Sequence, residues 1–159
     1  MPGLIPDAVL GFVFSGDKRS PYVALIEKDH PEWQKGKFNG IGGKKESGET
    51  SLDAMVREFR EESGLLVPPE QWRRVVRLYS RATDYVMWVY TAHIPEPLAL
   101  KEDGPEPCFW CAADNLPTNV LPNLRWLVPL CLDERIGGDV VVHYSRPPED
   151  KECTPSTST

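Results

Sequence analysis

Thr50-Ser51-Leu52-Asp53-Ala54-Met55-Val56-Arg57-Glu58-Phe59-Arg60-Glu61-Glu62-Ser63-Gly64 is the stretch on which the fold turns. Its spacing predicts a helix over 51–63, with Gly64 in the C-terminal cap. With Leu52 at zero and about 100° per residue, Met55 falls at about 300°, Val56 at about 40°, Phe59 at about 340° and Ser63 at about 20°. That narrow stripe faces a core. Glu58, Glu61 and Glu62 fall at about 240°, about 180° and about 280°, on one flank beside the stripe, with Arg57 and Arg60 elsewhere. Glu58 and Glu62, four residues apart, repel by ~0.2–0.5 kcal/mol in an isolated helix. A solvated charged face is the ordinary reading of a glutamate-rich helix. Against it, these carboxylates cluster at the helix C-terminus, where the macrodipole disfavours anions, and they flank the stripe instead of opposing it. A multivalent, oxygen-seeking cation such as Mg²⁺ or Mn²⁺ would turn the repulsion into a ligand set. On these residues alone, metal site and solvated face stand level.

Outward from the helix, the chain has strand character on both sides. Residues 8–14 (AVLGFVF) and 22–27 (YVALIE) are apolar and β-rich around a turn, and read as a hairpin. Residues 38–43 (FNGIGG) are too glycine-rich for an ordinary strand. Strands are expected at 73–80 and 85–93, with short strand character at Phe109-Trp110. A proline- and acid-rich loop spans 95–107. A helix is expected at 124–132 despite Pro129, then a last alternating strand at 138–145. This mixture indicates an α/β or α+β sandwich. Residues 1–145 are expected to form one domain, and 146–159 (RPPEDKECTPSTST) a disordered tail with little to bury.

Composition narrows the function. The 159 residues are 40% hydrophobic and 26% charged, which excludes wholesale disorder. A net charge of −6 disfavours nucleic-acid or membrane coating as a main role. No apolar run approaches the length of a bilayer span, and the N-terminus lacks a secretory pattern, so a cytoplasmic location is expected. Cys108 and Cys111 form a lone C-x-x-C, but in a strand positions three apart point to opposite faces. Two semi-buried, reduced thiols are expected there rather than a metal clasp.

Gly43, five residues, Glu49, seven residues, and then Arg57-Glu58-Phe59-Arg60-Glu61-Glu62-Ser63-Gly64-Leu65 resembles the Nudix box, G-x5-E-x7-R-E-U-x-E-E-x-G-U. Every defined position is filled. The resemblance implies an α/β fold, an α/β/α sandwich with a mixed sheet. It also implies Mg²⁺-dependent (or Mn²⁺-dependent) attack of water on a phosphorus of a nucleoside diphosphate linked to another group. Glu58, Glu61 and Glu62 would then bind the cation with the backbone carbonyl of Gly42. Glu49 would support the loop or an outer shell, and the planar guanidinium of Arg57 would orient the carboxylates. A general base often comes from the loop before the next strand, where Glu102 is the first choice and Glu106 the second. Glu58 itself is a further alternative. Lys18, Lys35, Lys37, Lys44 and Lys45 lie in or near the substrate-side loops, though for any single one a surface role is preferred.

The flanks resemble the MutT-type oxidised-purine nucleoside triphosphatases, especially the animal branch. Trp33 and Asn39-Gly40-Ile41-Gly42-Gly43-Lys44 parallel its aromatic residue, base-reading asparagine and approach to the box, so Trp33, Asn39 and Lys44 become expected substrate contacts. Where that branch carries Trp-Pro-Asp-Asp, this chain has Leu121-Pro122-Asn123-Leu124, leaving Asn123 to bond a base. Tyr85, Met87 and Trp88 are further cavity candidates, although strand aromatics are more often core. The leading expectation is hydrolysis of a nucleoside triphosphate, 8-oxo-dGTP among the candidates, to monophosphate and pyrophosphate. The alternatives are hydrolysis of ADP-ribose, a dinucleotide polyphosphate or an RNA cap, and a nucleotide-binding regulator without catalysis. The oligomeric state is not encoded in any motif.

Overall fold

The computed structural model describes residues 7–80, 85–136 and 140–144. In chain order these form β1 (Asp7–Ser15), β2 (Tyr22–Glu27), β3 (Phe38–Asn39), β4 (Ile41–Lys44), α1 (Ser51–Ser63), β5 (Arg73–Ser80), β6 (Tyr85–Ile94), β7 (Cys108–Ala112), α2 (Leu124–Leu132) and β8 (Val140–Tyr144). The expected tail at 146–159 lies outside the described residues, as do residues 138, 139 and 145 of the expected last strand.

Strand β1 is buried on both faces from Ala8 to Phe14, as its unbroken apolar run requires of a central strand. It lies parallel to β6 from Asp7↔Val86 to Ser15↔Ile94. Its other edge is shared: Ala8 to Gly11 pair antiparallel with β4, and Phe14 and Ser15 with Val23 and Tyr22 of β2. The expected hairpin is therefore paired over its turn end only. Beyond it β2 takes β3 and β7 as antiparallel partners. On the far side β5 pairs antiparallel with β6 and parallel with β8, which completes a mixed eight-stranded sheet.

The alternation of β1 divides the core. Leu10, Phe12 and Phe14 join Leu25, Val75, Val89, Leu124, Leu127 and Val128 on the α2 side. Val9 and Val13 join Ile26, Ile41, Met55, Phe59, Trp72 and Cys108 on the α1 side. One helix therefore covers each face, the α/β sandwich with a mixed sheet expected from the sequence. Cys108 packs on the α1 side and Cys111 against the α2 side, which is the opposite-face geometry predicted for the C-x-x-C pair.

The glycine-rich segment 38–43 does form strands. Both β3 and β4 are short and are held by neighbours already in the sheet. Gly42 is required there by close approach: a Cβ would stand 1.9 Å from the Val9 carbonyl oxygen of β1. Among the described residues, no helix is long and apolar enough to cross a membrane.

Candidate active site

Helix α1 begins with a reciprocal capping box. Asp53 N–H donates to Thr50 Oγ1 at 3.1 Å, and Thr50 N–H to Asp53 Oδ2 at 3.1 Å. It ends at Gly64, whose φ of 76° is left-handed and whose N–H donates to the Arg60 carbonyl. Between these caps the buried residues are Ala54, Met55, Phe59 and Ser63. Leu52 and Val56 are only part-buried. The buried sector is thus turned further toward the glutamates than the wheel placed it, so Glu58 and Glu62 lie within the contact face and Glu61 at its outer margin. The reason is β4. Its glycine backbone leaves room where any side chain would collide, since a Cβ on Gly43 would stand 2.6 Å from the Glu58 carboxylate carbon.

Arg57 organises this end of the helix. Its Nε and Nη2 donate to the two Glu49 oxygens, the second at 3.1 Å, in a bidentate clasp. Nη1 donates to Glu58 Oε1 at 3.0 Å and Glu61 Oε2 at 3.2 Å, and Nη2 reaches the Lys44 carbonyl at 3.2 Å. The Glu49 carboxylate is held below its ordinary range, first by the Arg57 hydrogen bond, against the opposing effect of burial. Its Oε2 also accepts from Glu46 N–H at 2.9 Å, which ties the preceding loop to the helix.

Glu62 is the buried member of the set. Its Oε2 has no hydrogen-bond partner, and burial pushes its carboxyl up to about 7. Nearby Lys28 opposes that rise, while Glu58 and Glu106 add to it. Among the described residues, no three acidic, His or Cys side chains are already gathered as a cage. The donor set nonetheless fits a hard divalent cation: carboxylate oxygens, one of them orphaned and buried, beside the close-lying β4 backbone that carries the Gly42 carbonyl.

The remaining sequence-derived residues are more scattered. Glu102 is exposed on the 101–107 loop, whose ends are closed by Lys101 N–H on the Ser63 carbonyl and Cys108 N–H on the Lys101 carbonyl, both at 2.8 Å. Glu106, in the same loop, is largely withdrawn from water and pairs with Lys28 Nζ at 2.9 Å. Asn39 spends its Oδ1 on the next N–H, that of Gly40, at 2.8 Å, and its Nδ2 lies 3.5 Å from Gln34 Oε1. Asn123 precedes α2, part-buried and without a capping bond. Hydrogen bonds from Phe38 N–H to the Asn119 carbonyl (3.0 Å) and from Leu121 N–H to the Phe38 carbonyl (2.9 Å) bring residues 119–121 beside Phe38 of β3. Trp33 stands on a 3₁₀ turn, half exposed. Met87 and Trp88 lie on opposite faces of the sheet, the first against the α2-side core and the second against the α1-side core, so they do not line one cavity. Lys18 pairs with Glu134 at 2.9 Å, and Lys45 with Asp7 at 3.6 Å. Lys28, which the sequence reading passed over, is the lysine that acts on Glu62.

The box loop, a helix clasped by Arg57 and a mixed sheet with a helix on each face agree with what the chain matches. Residues 4–131 match the NUDIX domain family. The chain belongs to that family. As a Nudix protein it is a pyrophosphohydrolase of some pyrophosphate-containing substrate, and its family is typically dependent on divalent metal. No curated protein sequence matches it. Among solved structures, a MutT protein from Bacillus halodurans superposes with a TM-score of 0.67 at 20% identity, covering 89% of this chain and 91% of that one. The NUDIX domain of Shewanella oneidensis NrtR, crystallised with ADP ribose, gives 0.64 at 19% identity, covering 79% and 85%. A MutT/nudix family protein from Enterococcus faecalis gives 0.61 at 21% identity over 70% of this chain, which spans only 45% of that protein. At these identities the likeness is one of fold.

Proposed function

We propose that this Nudix protein hydrolyses a nucleoside triphosphate to the nucleoside monophosphate and pyrophosphate. Water attacks a phosphorus of the anhydride, the P–O bond to the pyrophosphate leaving group breaks, and the water proton passes to a carboxylate. The observation that carries the reading is the Arg57 clasp beside a buried, half-satisfied Glu62. A carboxylate withdrawn from water with one oxygen unpaired, in the field of Glu58 and Glu106, carries a burial cost that a bound cation would offset.

In this reading Glu58, Glu61, Glu62 and the Gly42 carbonyl hold Mg²⁺ or Mn²⁺. A cation held there would neutralise the polyphosphate and lower the pKa of water. Arg57 sets the directions of the Glu58 and Glu61 oxygens, and Glu49 fixes Arg57. The base comes from the 95–107 loop, at Glu102 or Glu106. Lys44 lies on the phosphate side, while Asn39 and Asn123 read the nucleobase with Trp33 nearby. The substrate class is that of the MutT-type branch, with 8-oxo-dGTP the sharpest form of the proposal. The free thiols of Cys108, Cys111 and Cys131 support a cytoplasmic setting.

The test is a substrate panel of the common nucleoside triphosphates, 8-oxo-dGTP, ADP-ribose and dinucleotide polyphosphates, with Mg²⁺ and with chelator, each product resolved by ion-exchange chromatography. Release of pyrophosphate and monophosphate from a triphosphate is expected. Cleavage of ADP-ribose or a dinucleotide polyphosphate alone would reject the triphosphate assignment and keep the hydrolase. Preference for 8-oxo-dGTP over dGTP would support the oxidised-purine form of the proposal, without the acidic pair of the animal branch.

A further inference from the structure

The β2–β7 ladder carries a charged pair beyond its last bonded residues. It pairs Tyr22 with Ala112 down to Ile26 with Cys108, and Glu27 N–H then donates to the Pro107 carbonyl at 2.9 Å. Continued by one step, that register sets Lys28 opposite Glu106. Alternate strand residues share a face, so both side chains project to the face of Ile26 and Cys108, under α1. There the Cys108 thiol donates to the Glu62 carbonyl at 3.4 Å, which marks the C-terminal end of the helix.

Lys28 Nζ stands 2.9 Å from Glu106 Oε2, and each side chain is only 14% exposed. The same Oε2 accepts from Asp29 N–H at 2.9 Å and has His30 Nδ1 3.6 Å away. Among the described residues, all these contacts fall on one oxygen, which leaves Oε1 for another partner. Long charged side chains are rarely withdrawn from water this far unless paired. Pairing of this kind removes the rotamer freedom that a loop carboxylate would otherwise lose on meeting substrate.

We infer that Lys28 is a positioning residue, holding the Glu106 carboxylate at the C-terminal end of α1 as the group that takes the proton of the attacking water. The inference rests on the proposed reading. In that step the water oxygen bonds to phosphorus, the anhydride electron pair leaves on the pyrophosphate oxygen, and the proton moves to Glu106. Glu102, on the exposed limb of the same loop, has no comparable hold.

Two measurements on the full chain test this. In the first, steady-state kinetics with the best substrate of the panel, Glu106→Gln is expected to lower kcat by about 100-fold with KM nearly unchanged. Glu102→Gln should lose less than Glu106→Gln, Lys28→Met should approach Glu106→Gln, and Lys28→Arg should recover most of kcat. The double variant Lys28→Met/Glu106→Gln should be no slower than Glu106→Gln alone, since Lys28 acts through Glu106. A larger loss for Glu102→Gln, or a fully additive double variant, overturns the inference. The second measurement is amide hydrogen exchange of residues 101–107. Lys28→Met is expected to speed it and Lys28→Arg to leave it near wild type, and unchanged exchange in a folded Lys28→Met overturns the positioning role. If Lys28→Met does not fold, Lys28→Arg and Glu106→Gln still decide the outcome. Absence of turnover on every panel substrate defeats the functional reading by itself, whereas the exchange result judges the Lys28–Glu106 hold without reference to turnover.

Discussion

On the α2 side of the sheet, Leu10, Phe12, Val75 and Val89 pack against Leu124, Leu127 and Val128 in an all-apolar cluster. On the α1 side, the helix that buries Met55 and Phe59 also turns Glu58 and Glu62 into the same contact face. Both faces are built by the same alternating strands. What distinguishes them is the glycine backbone of β4, which keeps space beside α1 that a side chain would fill. An apolar face is satisfied by close packing alone. A face that encloses an unpartnered carboxylate oxygen is at odds with its own burial until a cation or a proton arrives. The comparison teaches that one face is closed by packing alone, whereas the other encloses a carboxylate oxygen that packing leaves unpaired.

The contrast can be broken first at its shared element, packing. Phe59 and Leu127 are both fully buried, one on each face. Phe59→Ala should destabilise by about 3–5 kcal/mol and Leu127→Ala by about 2–5 kcal/mol in urea unfolding. If Phe59→Ala proved nearly neutral, the α1 face would not be a core at all.

Next in size is Glu61→Gln, on the outer margin of the set. Turnover should fall at least about 100-fold, near 2.7 kcal/mol, while the circular dichroism spectrum and Tm stay close to wild type. Unchanged Mg²⁺-dependent turnover in that variant would remove Glu61 from the site.

Glu62 sharpens the comparison through pH. Burial raises its folded value from the ordinary 4.5 to about 7, so across that window the folded metal-free protein holds a proton the unfolded chain has released. Stability should therefore fall as pH rises from 4.5 to about 7 and stay low above it. Glu62→Gln abolishes this loss. At pH 8 in chelator it should be more stable than wild type by on the order of 2 kcal/mol, with the advantage gone near pH 4. A Tm at pH 8 no higher than wild type would show that Glu62 is not held in a desolvated place.

The smallest effect is at the helix end that presents the carboxylates. Gly64→Ala forces a side chain into a left-handed residue and should lose about 1–2 kcal/mol of stability by thermal melts. A neutral result would mean that the last turn of α1 is not pinned by its cap.

Much of this was legible in the linear chain. Residues 51–63 declare their helix by period and cap, and 8–14 declare a strand by their apolar, β-rich run. The opposite faces of Cys108 and Cys111 follow from the strand repeat alone. The G-x5-E-x7-REUxEExGU pattern singles out Glu58, Glu61 and Glu62, and all three lie in the C-terminal half of α1. Less was legible where a neighbour decided the outcome. Residues 38–43 look like loop because glycine has low strand propensity, yet β1 and β2 supply edges to which they bond. The rotation of α1 was hidden because a wheel treats all apolar side chains alike, whereas Gly42 and Gly43 make one sector of the sheet uniquely approachable. Lys28 carried no signal in the linear chain, because its partner stands 78 positions later and only strand register brings the two together.

By itself, the sequence determined the secondary structure of the helix and the central strands, the identity of the acidic residues and the family to which they belong. Each of these depends on spacing along one segment, where 3.6- and 2-residue repeats set which side chains share a face. Only the tertiary structure decided which glutamate is buried, which oxygens accept from the Arg57 N–H groups and which loop carboxylate is held. Those depend on segments far apart in the chain meeting in space, and burial and electrostatic coupling are properties of that meeting, not of either segment alone.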